Sequence, residues 1–290
     1  MRKDYPFPYE TITLDGLSLS FLSRGGPRII GLSYKGSANL LAEVPEKVEP
    51  TPYGPYYFVG GHRLWAAPEE KPFTYLPDDK GLTLKESANG IDLIGEVNPI
   101  SGLQKILQIR LLAEGEIELV HLLRNAGPQS FTLAPWALTM LRPGGKAWFP
   151  TSTMQANPHG LLPDCRLSLW PYNRWDDPRV RYQPDHLCID MSVMDAAPGK
   201  WGTFNGRGWM AYWLEGILFS KHFSSPVQGT YPDFGCNAET YLCDQFIELE
   251  SLGPLQSLAP QAEIELKEIW CLQEFEQPIW QNLHVQYFGS

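Results

Sequence analysis

The feature that most constrains this chain is a short-range alternation of apolar and polar residues, broken at short intervals by turn formers and sustained over most of its length. Gly and Pro number 26 each and fall between runs of period two, the pattern of strands joined by tight turns. Helical periodicity is scarce. In KILQIRLLAEGEIELVHLLRNAG, Leu107, Ile109 and Leu111 share one face, and Ile117, Leu119, His121 and Leu123 share another beyond a turn at Ala113–Gly115. That spacing predicts a hairpin. Further strands are expected over 11–22, 28–34, 92–97, 208–215, 217–223, 246–250 and 263–272. Strands so numerous and so widely spread predict an all-β architecture of at least two packed layers. Residues 150–195 are rich in Pro, Asp, Arg and Trp and break the pattern, so they read either as an irregular functional insertion or as strands with an obscured period. No repeat or linker divides the chain, which predicts a single domain over 1–290.

Charge and composition narrow the partners. Lys and Arg total 23 against 33 Asp and Glu, a net charge of −10, which disfavours attraction to nucleic acid or an anionic bilayer. The N-terminus MRKDYPFPYE turns acidic and Pro-rich at once, and no stretch approaches the ~20 apolar residues of a membrane span, so a cytoplasmic location is expected. Cys165, Cys188, Cys236, Cys243 and Cys271 are odd in number and lack CxxC spacing, and they read as small core residues. The metalloprotease, serine-hydrolase, P-loop and Rossmann fingerprints are all missing, and no metal or organic cofactor is expected.

Two stretches concentrate chemistry. GGHRLWAAPE, residues 60–69, sets His62, Arg63 and Trp65 behind paired glycines, which suit a close approach by a ligand or by a second backbone. A guanidinium fork and a flat indole are what the hydroxyl rim and C–H face of a sugar require. The structural alternative is a Gly-Gly bulge with Arg63 paired to Glu69 and Trp65 in the core. In YPDFGCNAETYLCDQFIELESLGP, residues 231–254, a strand would place Glu248 and Glu250 on one face with Phe246, either solvated or lining a groove. Asp233 and Glu239 lie close by in sequence. Lys221 falls on the face of Ile217, Phe219 and Phe223, where an ammonium needs a carboxylate or a ligand unless its strand is an edge. His121 reads as a satisfied core histidine.

Taken in order, RGGPRIIGLSYKGSANLL, GGHRLWAAPE, LLRNAG…LAPWALTMLRPGG, YPDFGCNAETY, FIELESLGPL and the closing EIW resemble the galactose mutarotase-like superfamily, in a branch marked by GGHRLW…APE. The resemblance covers nearly the whole chain. It implies a β-supersandwich of large antiparallel sheets with a sugar site on a concave face. Aldose 1-epimerases bind sugar with an Asn-Arg pair on an early strand, and His62-Arg63 stands in the similar place, which carries the role to Arg63. Their base is a Glu in a Glu-Thr-Gln run ahead of a proline, matched by Glu248-Leu249-Glu250 before Pro254. Their acid is a histidine after the central hairpin, where LAPWALTML places Trp136. Indole donates no proton at neutral pH, so the acid role passes to another group, with His62 as candidate, or is lost.

The resulting expectation is a sugar- or oligosaccharide-directed protein of the aldose 1-epimerase type. Glu248 and His62 are its catalytic candidates, and Arg63, Trp65, Trp136, Asp233, Glu239, Glu250 and Lys221 contact the substrate. The alternative is a non-catalytic sugar-binding or sensing module that kept the cleft and lost the acid.

Overall fold

The structure, a computed structural model, describes residues 5–154 and 159–276. In chain order the strands are β1 Tyr9–Leu14, β2 Leu17–Leu22, β3 Arg28–Tyr34, β4 Glu43–Thr51, β5 Gly54–Gly60, β6 His62–Ala67, β7 Leu82–Ser87, β8 Gly90–Val97, β9 Leu103–Leu111, β10 Glu116–Asn125 and β11 Phe131–Leu141. The second half adds β12 Lys146–Pro150, β13 Ser168–Leu169, β14 Val180–Tyr182, β15 His186–Asp190, β16 Gly199–Thr203, β17 Trp209–Leu214, β18 Ile217–Phe223, β19 Ala238–Leu242, β20 Ile247–Leu252, β21 Gln256–Leu258 and β22 Glu263–Glu274. They form two large antiparallel sheets. The first runs β1-β2-β3-β6-β11-β20-β19-β16-β13, with β21 on the end of β11; the second runs β14-β15-β12-β17-β18-β22-β10-β9-β8-β7; β4 and β5 pair separately.

The expected hairpin forms as β9 and β10, in register from Ile117 opposite Leu111 to Asn125 opposite Leu103. Residues 11–22, expected as one strand, are instead a hairpin, β1 and β2, because Asp15 and Gly16 take positive φ and turn the chain. The apolar faces of the two sheets meet in one core that includes Leu19, Ile29, Ile109, Leu119, Phe149, Phe219, Leu249 and Trp270. β18 is a central strand, flanked by β17 and β22, so the edge-strand reading of Lys221 is wrong. Residues 150–195 hold only the short β13, β14 and β15 among turns, and this irregular stretch reaches over the outer face of the first sheet.

The paired glycines have a backbone reason. Gly60 and Gly61 both take positive φ, and a Cβ there would stand 2.1 Å from the Ala42 carbonyl oxygen and 2.0 Å from that of Ile29. Their thinness admits neighbouring strands, and no ligand is needed to explain it.

Candidate functional site

Antiparallel register fixes which side chains share the outer face of the first sheet. Across β6, β11, β20, β19 and β16, one row reads Arg63, Leu138, Glu250, Glu239, Gly202, and the next reads Met140, Glu248, Tyr241, Lys200. Trp65 lies opposite Trp136 in the row beside Arg63. Period two therefore brings residues almost two hundred positions apart onto one surface.

Arg63 pairs with Glu248 at 2.9 Å rather than with Glu69, and its guanidinium lies 4.2 Å from the centre of the Trp65 ring. Glu69 instead accepts the hydroxyl hydrogen of Tyr75. Trp65 Nε1 donates to Tyr56 Oη at 2.7 Å, and Trp136 Nε1 donates to Glu250 Oε2 at 2.8 Å. Lys200, which the sequence did not single out, sits with its ammonium 4.6 Å from the Trp136 ring centre and 4.8 Å from that of Trp170. It reaches Glu239 Oε2 at 2.7 Å and Glu250 Oε2 at 3.2 Å. Both indole faces are thus turned to cations, and with Trp65 only 3% and Trp136 only 2% exposed, they hold the charged groups in place instead of offering a bare stacking surface. The aromatic groups nearer solvent are Tyr172 and Tyr241, whose rings meet edge to face at 6.5 Å.

Five ionisable side chains, Arg63, Lys200, Glu239, Glu248 and Glu250, are therefore gathered under an aromatic rim, and each is buried. Burial, with the charges of Glu250 and Asp233 added, raises the Glu239 carboxyl well above the usual range despite Lys200. Glu250 is also raised, by burial and by Glu248. Burial opposes the charge on Lys200, but Glu250 and Glu239 outweigh it and hold the ammonium well above the usual lysine value. Burial pushes the Tyr241 hydroxyl up to about 12. Asp233 stands in the turn Pro232–Gly235, close enough to act on Glu239 by charge, while its backbone oxygen accepts from Ser168 Oγ at 2.9 Å.

His62 and Lys221, expected in this site, are not on its face. Adjacent residues of a strand point to opposite sides, so Arg63 outward puts His62 inward, between the sheets. There His121 Nδ1 donates to Leu266 O at 2.9 Å, His62 Nε2 donates to His121 Nε2 at 2.6 Å, and Thr139 Oγ1 donates to His62 Nδ1 at 3.0 Å. Lys221 Nζ donates to Thr139 Oγ1 at 3.1 Å, to Leu249 O at 3.2 Å and to Glu268 Oε1 at 2.9 Å. Glu268 also accepts from Ser251 Oγ and from Trp270 Nε1. With both imidazoles neutral, one assignment of hydrogens satisfies the whole chain of bonds. His62, His121 and Glu268 could between them reach a metal ion, but their nitrogen and oxygen atoms already have protein partners. Burial, the neighbouring His121 and the positive charges of Lys221 and Arg63 hold His62 well below its usual value, so it is no acid for the outer face.

At the level of sequence, neither a family model nor a curated protein matches the chain. Solved structures do. A galactose mutarotase-like protein from Lactobacillus casei superposes with a TM-score of 0.55 at 10% identity, over 91% of this chain and 100% of that one. The chain has the galactose mutarotase-like fold. A GalM/aldose epimerase homologue from Caenorhabditis elegans aligns with a TM-score of 0.54 at 10% identity, over 92% of this chain and 99% of that one. A TPR-domain containing protein from Parabacteroides distasonis gives a TM-score of 0.59 at 11% identity, over 93% of this chain but 48% of that one. The mutarotase-like fold thus accounts for both large sheets, while the residues on the outer face must be judged on their own geometry.

Proposed function

We propose that the outer face of the first sheet binds a small sugar and interconverts its anomers, with Glu248 as the base. The observation that carries this reading is the Arg63–Glu248 pair, joined at 2.9 Å across 185 residues of chain and set beside Trp65. An ion pair with a free carboxylate edge offers donors and acceptors to vicinal hydroxyls, and Tyr172, Tyr241 and Trp170 supply apolar surface around it. Glu248, at 7%, is more exposed than Glu239 or Glu250, each at 0%, which suits it to take the proton of an anomeric hydroxyl. The mutarotase-like and epimerase relatives by fold support a sugar as the ligand.

A binding-only role is the second reading. Trp136, which holds Glu250 through its indole N–H, occupies the place where the resemblance implies a histidine acid. Exchange spectroscopy on α-glucose and α-galactose separates the two readings. Catalysis predicts anomer exchange faster than in buffer and abolished in Glu248→Gln; a binding module predicts sugar-dependent line broadening with the buffer exchange rate.

A further inference from the structure

The five buried charges do not balance. Glu239, Glu248 and Glu250 carry three negative charges if all are ionised, against two positive charges on Arg63 and Lys200. Arg63 is committed to Glu248, which leaves Glu239 and Glu250 to share Lys200. The two glutamates lie directly opposite each other on β19 and β20. Hydrogen bonding is incomplete at the same place: Glu250 Oε1 and both oxygens of Glu239 are buried without a hydrogen-bond partner, the Lys200 contact to Glu239 being an ion pair without hydrogen-bond geometry. A buried, uncompensated carboxylate is costly, and the cheapest neutraliser is a proton. Glu250 follows Glu248 by two residues on one face, so the carboxyls stem from positions about 7 Å apart, room for the anomeric carbon and its two oxygens between them.

We propose that the Glu239–Glu250 pair holds one proton in the resting protein and that Glu250 delivers it to the ring oxygen of the sugar, supplying the acid that Trp136 cannot. This step rests on the anomer-interconverting reading above. Glu248 takes the anomeric hydroxyl proton, the bond from the anomeric carbon to the ring oxygen breaks with its electron pair on oxygen, and the pair's proton goes to that oxygen. The open-chain aldehyde rotates about the bond next to its carbonyl. Closure returns each proton to its glutamate, so nothing is consumed. Glu239 acts as a positioning residue whose like charge keeps the proton on the pair, as in other carboxyl dyads. The groups facing the pair are Lys200 on β16, Glu248 on β20, Tyr241 on β19, Arg63 on β6, Tyr172 from the irregular stretch and Asp233 from its turn.

Carbon-13 NMR of protein labelled at the glutamate carboxyl carbons, recorded without sugar, tests the proton directly. One carboxyl should keep its protonated shift at pH 7, and that signal should vanish in both Glu239→Gln and Glu250→Gln. In Lys200→Met, which leaves three carboxyls to Arg63 alone, two protonated signals are expected. A wild-type spectrum with every glutamate ionised at pH 7, or a protonated signal that survives both Gln variants, overturns the proposal. The kinetic arm uses anomer exchange. Glu250→Gln should lower kcat by about a hundredfold or more with KM little changed. Glu239→Gln should move the basic limb of the kcat/KM profile to lower pH, because Glu250 then faces Lys200 without a like charge beside it. Retention of wild-type kcat in Glu250→Gln refutes the donor role. A wild-type protein that exchanges no anomers refutes the anomer reading and the donor step together, and the sugar-free spectrum still decides on the shared proton.

Discussion

Arg63 shows how much can depend on one residue's neighbours. Buried and bonded to Glu248, it also lies over Trp65 and accounts for much of the order on the outer face. Replacing it by methionine strands a buried carboxylate, and urea denaturation should show a loss of about 3–5 kcal/mol. In the Arg63→Met, Glu248→Met double variant the charge is gone from both sides, and most of that loss should be recovered. A single variant within error of wild type would mean that Glu248 finds water or another partner, contrary to its burial. The sequence gave fair notice of Arg63, Glu248 and Glu250, since period two alone puts the glutamates on one face. It gave none of Lys200, because GKWGT reads as an unremarkable short strand and its partners lie on β19, β20 and the irregular stretch. His62 was misplaced for a simple reason: it and Arg63 are neighbours, and a strand cannot turn both to one side.

At the scale of elements, β6 depends on its entry. Gly61→Ala would force a side chain against the Ile29 carbonyl at a left-handed φ, and a cost of about 3 kcal/mol is expected by denaturation. Little change would show that β3 yields easily there. On the inner side, the network from His121 to Glu268 ties β6, β11 and β20 to β10, β18 and β22. It holds Leu249 and Ser251, the residues on either side of Glu250, and so fixes the strand that carries the two glutamates. Its acid sensitivity has a definite sign. Burial lowers His62 and His121, while unfolded imidazoles titrate near about 6.5, so the unfolded chain binds more protons below that pH and the contribution is lost as pH falls. The raised carboxyls of Glu239 and Glu250 act in the opposite sense, so the comparison must be differential. The stability gap between wild type and His121→Gln should narrow from pH 7 to pH 5 in denaturation series; a gap that widens contradicts neutral buried imidazoles. The network itself could not be read from sequence, since each member comes from a different strand and its register depends on how two sheets meet. Most strands could be read, because alternation survives in a sheet with one buried face; the hairpin at Asp15-Gly16 was missed because 11–22 alternates through the turn.

For the molecule as a whole, the two sheets divide labour: the first presents a charged outer face and the second braces it from behind. The segment that follows β6 borders two different surfaces. Tyr75 packs on Trp65 beside the charged group, while Phe73 faces a separate cleft of about 780 Å³ lined also by Tyr53, Ile100, Phe131 and Leu133. That cleft is mainly apolar and lacks the gathered carboxylates, so a polyhydroxylated ring belongs on the outer face and not there. Among the described residues no helix is long and apolar enough to cross a membrane. The most direct test of the sugar site is a crystal structure of the protein soaked with glucose and galactose. The account predicts a pyranose between Tyr172 and Tyr241, with its hydroxyls on Arg63 and Glu248 and its anomeric carbon between Glu248 and Glu250. A sugar bound only in the apolar cleft, or on the outer face with its anomeric carbon turned away from both glutamates, would contradict it.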